Sequence, residues 1–185
     1  HVSYLGSDVA SIAHEKAGII KPGCPVVCSA QHPDAVGVIE KTAAARNAPY
    51  ISATDTVLVV RKGLNLLIKT PTECYPPIQL PIQSPAQLEN VASAVAAAEI
   101  LRDYHGILIP VEAVVQGLTS VRWLGRGQFL QKNPPVLLDV AHNPSGAVSL
   151  VAFMDEVLRD RRIGLVVGFS EDKDAVGILR ILAPR

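Results

Sequence analysis

Lys16 sits where a helix would turn it toward apolar neighbours. Seven helical residues advance the side-chain direction by ~700°, close to two full turns. Lys16 therefore shares a stripe with Val9, Ile12 and Ala13, while His14 and Glu15 fall off it and are expected in solvent. Such a lysine has two readings. It can snorkel, laying its methylenes on the apolar surface with the amine in water. Alternatively it is a desolvated amine of lowered pKa, able to react or to pair with a charged ligand. A second set of chemically able residues lies downstream in Leu138-Asp139-Val140-Ala141-His142-Asn143-Pro144. Asp139 closes an apolar run and Pro144 opens a helical one. In an open parallel sheet, ligands gather at the carboxyl ends of strands, and the following helix N-terminus favours anions. A plainer reading has Asn143 capping the helix, Pro144 in its first position and Asp139 capping a turn, and for Asn143 capping is preferred. By residue type alone Arg126 reads as a surface ion-pair residue.

Other chemistries are disfavoured. Cys24 and Cys28, with His32 beyond them, invite a metal, but zinc needs four convergent ligands. Cys24-Pro25-Val26-Val27-Cys28 reads instead as a buried strand with both thiols on one face. Three cysteines, an odd number, suit a reducing compartment better than a disulfide framework. Seventeen basic against seventeen acidic residues, with no basic stripe, argue against a nucleic-acid partner. No apolar run approaches the ~18 residues of a membrane span. A G-x-x-x-x-G-K-[ST] phosphate loop is absent from the sequence. The chain opens on His1 and its only methionine is Met154, so it is expected to be an internal piece of a longer protein.

These residues need a scaffold, and 49% apolar content with 4% aromatics and 14 prolines suits an α/β protein. At 185 residues the chain can bury one substantial core, or one domain and part of another. Ser7 is expected to cap a helix running to about Ile19, ended by Gly18 and the Pro22-Gly23 turn. Cys24 to Ser29 reads as a strand, Pro33 to Asn47 as a helix and Pro49 to Ser52 as a strand. Thr56 to Arg61 and Leu64 to Lys69 read as a hairpin turning at Lys62-Gly63. Pro71 to Pro81 is extended connection or edge strand. Ser84-Pro85-Ala86-Gln87 has the cap, first-position proline and glutamine of a helix start. That helix carries Asn90 and reaches about Asp103, and another runs from Pro110 to near Leu118. Arg126 to Gln131 and Pro135 to Val140 are strands, Pro144 to Arg159 a helix, Ile163 to Gly168 a second apolar strand, and Lys173 starts another helix. The strand-helix-strand set predicts a βαβ unit with both strands buried in a parallel sheet.

In their order, the motifs resemble the folylpolyglutamate synthase/dihydrofolate synthase branch of the Mur-type ATP-dependent amide ligases. His1-Val2-Ser3-Tyr4-Leu5-Gly6 followed by Glu15-Lys16-Ala17-Gly18-Ile19-Ile20-Lys21 resembles its first visible motif. Trp123-Leu124-Gly125-Arg126-Gly127-Gln128 resembles W-P-G-R-x-Q, departing at Leu124, and Asp139 to Pro144 matches D-[GV]-A-H-N-P. Gln87 and Asn90 resemble H-Q-x-x-N with Ala86 in place of histidine, and Gly168 with Asp172-Lys173-Asp174 resembles G-x-x-x-D-K-D. Read as bare sequence, the latter run is a solvated helix start. The resemblance implies the end of a central ATPase domain over residues 1–122 and the first part of a Rossmann-like C-terminal domain over 123–185. It further implies ATP and Mg²⁺, with dihydropteroate or folate and L-glutamate as substrates. The product would be an amide formed through an acyl phosphate, by a cytoplasmic monomer without nucleic-acid or membrane partners. Lys16 and His142 would be catalytic, with His1 and a carbamylated Lys16 on the metal side. Asn90 would meet adenine, Arg126 the phosphates, and Asp139 and His142 the nucleotide. Two alternatives stay open: another Mur-type amino-acid ligase, and a catalytically inactive nucleotide-binding relative.

Overall fold

The computed structural model describes residues 8–30, 32–81, 86–159 and 161–184. The chain divides into two compact units. One holds the described chain up to Gln79 together with Glu89–Thr119, and the other holds Leu80–Leu88 and the chain from Ser120 onward.

In the first unit, α1 (Val9–Ala17) starts on Asp8, whose carboxylate accepts the Ser11 N–H at 2.8 Å. The expected cap, Ser7, lies outside the described residues. Helix α1 packs on α2 (Pro33–Ala45), and Ala17 and Ala43 are both almost fully buried where the two meet. Alanines permit that approach because nothing beyond Cβ holds the backbones apart. Parallel strands β1 (Val26–Cys28) and β2 (Tyr50–Ser52) flank α2 in sequence, paired Val26 to Tyr50 and Cys28 to Ser52. Ile20, Ala48, Val26, Ile39 and Tyr50 complete this core. The Arg46 guanidinium donates to the carbonyls of Gly18 and Ile20, tying the turn after α1 to the end of α2.

A short helix, α3 (Ala53–Thr56), leads into the hairpin of β3 (Leu58–Lys62) and β4 (Asn65–Lys69). The proline-rich segment runs beside β4, bridging Leu66 to Ile78 and Lys69 to Cys74, as an edge whose prolines owe no ladder bond. One buried carboxylate pins it. Glu99, on α4 (Ala86–His105), accepts from the Thr70 and Tyr75 hydroxyls, each at 2.9 Å. Helix α5 (Val111–Ser120) follows.

In the second unit, β5 (Gln128–Lys132) and β6 (Pro135–Leu138) form an antiparallel pair. Helices α6 (Pro144–Val157) and α7 (Ala175–Leu182) pack through Ala147, Met154, Leu158, Ile178 and Leu182. Asp174 caps α7 by accepting the Gly177 N–H, while exposed Asp172 pairs with Lys173. The solvated helix start expected there is what forms.

Two expectations fail. Ile163 to Gly168 forms no strand, and Val166 is 98% exposed, so the buried parallel βαβ is not present among the described residues of this unit. An apolar run becomes a buried strand only where another strand pairs with it, and among the described residues β6 is paired with β5, antiparallel, and not with this run. The paired buried thiols also fail. Cys28 is buried in β1, but Cys24 lies outside the strand and is exposed, as is Cys74. Among the described residues no helix is long and apolar enough to cross a membrane.

Candidate functional site

The second unit holds a cleft of about 240 Å³ built around a three-residue loop. Gly125 and Gly127 flank Arg126 with φ of 71° and 58°, a region that glycine enters without steric cost. Each end of the loop is tied. The Gly125 N–H donates to Gln128 Oε1 at 3.0 Å, and the Gly125 carbonyl accepts from the Val140 N–H at 2.9 Å. The Gly127 N–H donates to Asp139 Oδ2 at 2.8 Å. Asp139 Oδ1 meanwhile accepts the Ala141 N–H at 2.8 Å, so one carboxylate links the arginine loop to the turn after β6. Each oxygen keeps a second acceptor site for a ligand hydroxyl.

Arg126 and Asp139 both line the cleft, with Asn143, Ser145 and Gly146 from the start of α6 and Phe153 behind them. Asn143 Oδ1 accepts the Gly146 N–H at 2.7 Å with Pro144 in the first turn, which is the expected cap. The Arg126 guanidinium lies 5.9 Å from the Trp123 ring centroid, within cation–π range. It makes no ion pair among the described residues, so the surface ion-pair reading does not hold. A cation without a carboxylate partner, beside a helix N-terminus, is suited to an anionic ligand.

Of the remaining candidates among the described residues, only His142 belongs to this unit. His142 is exposed and absent from the cleft lining, with Nδ1 3.2 Å from the Val140 carbonyl. A carbonyl only accepts, so that bond places a proton on Nδ1 and leaves Nε2 for another partner. Asn90 is exposed in the first unit. His1 lies outside the described residues. Lys16 is exposed, as are His14 and Glu15, and the expected desolvated amine is not found. The buried stripe of α1 passes through Ala13 and Ala17, turned from the Val9–Lys16 stripe by ~70°. Sequence reasoning missed the loop ties. The glutamine of the W-P-G-R-x-Q-like run signalled Gln128, but its bond to Gly125 depends on how the loop folds back.

No family model matches the chain. Curated proteins do. The dihydrofolate synthase/folylpolyglutamate synthase of Bacillus subtilis is 34% identical over 187 residues, which cover 98% of this chain and 44% of that protein. Its counterpart from Mycobacterium tuberculosis is 31% identical, with coverage of 100% and 40%. The chain thus spans under half the length of these relatives. Among solved structures, an FPGS–AMPPCP–folate complex superposes with a TM-score of 0.88 at 25% identity, over 99% of this chain and 46% of that one. Escherichia coli FolC in complex with DHPP and ADP gives 0.86 at 27%, over 100% and 42%.

Proposed function

We propose, from the premise that this chain belongs to the dihydrofolate synthase/folylpolyglutamate synthase family, that it is part of an ATP-dependent ligase joining L-glutamate to the carboxylate of dihydropteroate or folate. The observation that carries this reading is the Arg126 guanidinium, free of any carboxylate among the described residues, on one cleft with Asp139 and the N-terminus of α6. Two structural neighbours support it, one complexed with AMPPCP and folate and the other with DHPP and ADP.

In this reaction a carboxylate oxygen of the acceptor takes the γ-phosphoryl group of ATP, and ADP leaves. The amine of glutamate then attacks the acyl carbon. Phosphate departs with the carbon–oxygen electron pair, and the amine loses a proton as the amide forms. Catalysis of this type rests on positioning and charge neutralisation. Arg126 supplies a permanent, forked cation for phosphate oxygens. Asp139 offers acceptor sites to nucleotide hydroxyls, His142 turns Nε2 to the nucleotide, and Asn90 is assigned to adenine.

Lys16 is assigned as the carbamylated residue from its place in the Glu15-Lys16-Ala17-Gly18 run, where carbamylation would exchange a cation for a carboxylate. Magnesium prefers oxygen ligands. The described residues contain no group of three or more His, Cys, Asp or Glu able to hold a metal. They do not make a magnesium site by themselves, and no step is assigned to the ion. The test is Arg126→Lys in the full-length protein. Keeping the charge while losing the fork lowers kcat about tenfold or more, on the order of 1.4 kcal/mol. An unchanged kcat refutes the assignment.

A further inference from the structure

We propose that Gln128 is a positioning residue that holds Arg126 in its ligand-ready place. The inference rests on the reading of Arg126 given above and adds the device that supports it. An arginine between two glycines is poorly constrained by its own backbone, since glycine opens conformations closed to other residues. The position before Gly125 holds Leu124, 77% exposed, so no proline ring and no packing stiffens that side.

The restraint comes from elsewhere. Gln128 opens β5 and pairs with Leu138 of β6, which fixes its backbone in the ladder. Its side chain folds back so that Oε1 accepts the Gly125 N–H at 3.0 Å. Asp139 holds the Gly127 N–H at 2.8 Å on the other side. Gln128 thereby anchors the Leu124–Gly125 peptide at the entry to the loop and Asp139 the Arg126–Gly127 peptide, while the Val140 N–H holds the Gly125–Arg126 peptide between them through the Gly125 carbonyl.

This arrangement solves a specific problem. An arginine can be oriented by an ion pair, but the partner carboxylate then competes with the anionic ligand for the same fork. Orienting it through its backbone leaves the guanidinium charge uncommitted, as seen among the described residues. Gln128 also differs from Asp139 in a way that makes it testable. Asp139 lines the cleft and can touch a ligand directly, whereas Gln128 is not part of the lining and reaches the site only through the loop.

The experiment is a double-mutant cycle in the full-length protein, reading ATP-dependent glutamate ligation together with thermal melts. Gln128→Ala lowers kcat about tenfold while the KM for ATP changes less than about threefold, because the loss falls on transition-state placement of Arg126. In an Arg126→Ala background the same substitution changes kcat less than about twofold, since there is no longer an arginine to position. Equal fold-losses in both backgrounds overturn the proposal. So does a loss that merely tracks unfolding at the assay temperature, or an active Gln128→Ala beside a defective Arg126→Ala. An unchanged Arg126→Ala enzyme removes the reading of Arg126 itself and the inference with it, and that failure is visible before the cycle is closed.

Discussion

Replacing Gly127 with alanine should damage the second unit more than replacing Gly125, although the two glycines look alike in sequence. Both have positive φ, 58° and 71°, and an L-residue there costs about 1–2 kcal/mol in either position. The difference lies in what the new methyl group meets. At Gly127 the added Cβ would stand 2.9 Å from Phe153 Cε1, with Cδ1 and Cζ at 3.4 and 3.5 Å. Phe153 is 3% exposed, so its ring has little room to retreat and overpacking adds about 1–3 kcal/mol. At Gly125 the Cβ would meet Val140 Cγ1 at 2.8 Å, but Val140 is 46% exposed and can rotate away. Gly127→Ala should therefore cost about 3 kcal/mol and Gly125→Ala about 1–2 kcal/mol. Urea denaturation followed by fluorescence reads this directly, because the chain's one tryptophan, Trp123, lies in the same unit. A Phe153→Leu change should recover part of the Gly127→Ala loss and none of the Gly125→Ala loss. Equal costs for the two glycines, or no recovery with Phe153→Leu, would refute the steric reasoning.

Other outcomes can be checked on the same protein. Tyr75→Phe should cost about 1 kcal/mol in chemical denaturation read by circular dichroism, since it removes one of the two hydroxyls bonded to the buried Glu99 carboxylate; no measurable loss would show that the Tyr75 hydroxyl does not help hold the proline-rich segment. Burial first, then the Cys28 thiol, pushes the Tyr50 phenol from 10.0 up to about 12. The unfolded chain releases that proton first, so the stabilisation is complete below about pH 10 and is lost as pH rises through about 12. Tyr75 is shifted the same way, by burial and then by its hydrogen bond to Glu99. Denaturation midpoints should fall between about pH 10 and 12, and Tyr50→Phe should flatten the fall; an unaltered slope would count against it. In the full-length protein, Lys16→Ala should lose activity and regain part of it with millimolar acetate or propionate. Rescue by small amines instead, or a fully active Lys16→Arg, would end the carbamate assignment.

Features governed by local energies were legible in the residue order. The Asn143 cap with Pro144 behind it, the turn at Gly63 and the span of α2 all follow from preferences acting within a few residues. The motif run that relates this chain to its relatives is likewise a property of order. Periodicity also established which residues share a stripe of α1, but not which stripe is buried. Ala13 and Ala17 turn inward, leaving Lys16 exposed, because small side chains let α1 approach α2 closely. Ile163 to Gly168 shows the same limit, since apolarity permits a buried strand and only a neighbouring strand makes one. The site depends most on tertiary structure. Arg126 was readable as a cation suited to phosphate, yet only the fold brings Asp139, far along the chain, onto the same cleft and ties its carboxylate to the Gly127 and Ala141 N–H groups. A carboxylate takes whichever donors the fold brings within reach, and reach is a distance in space that sequence separation does not set.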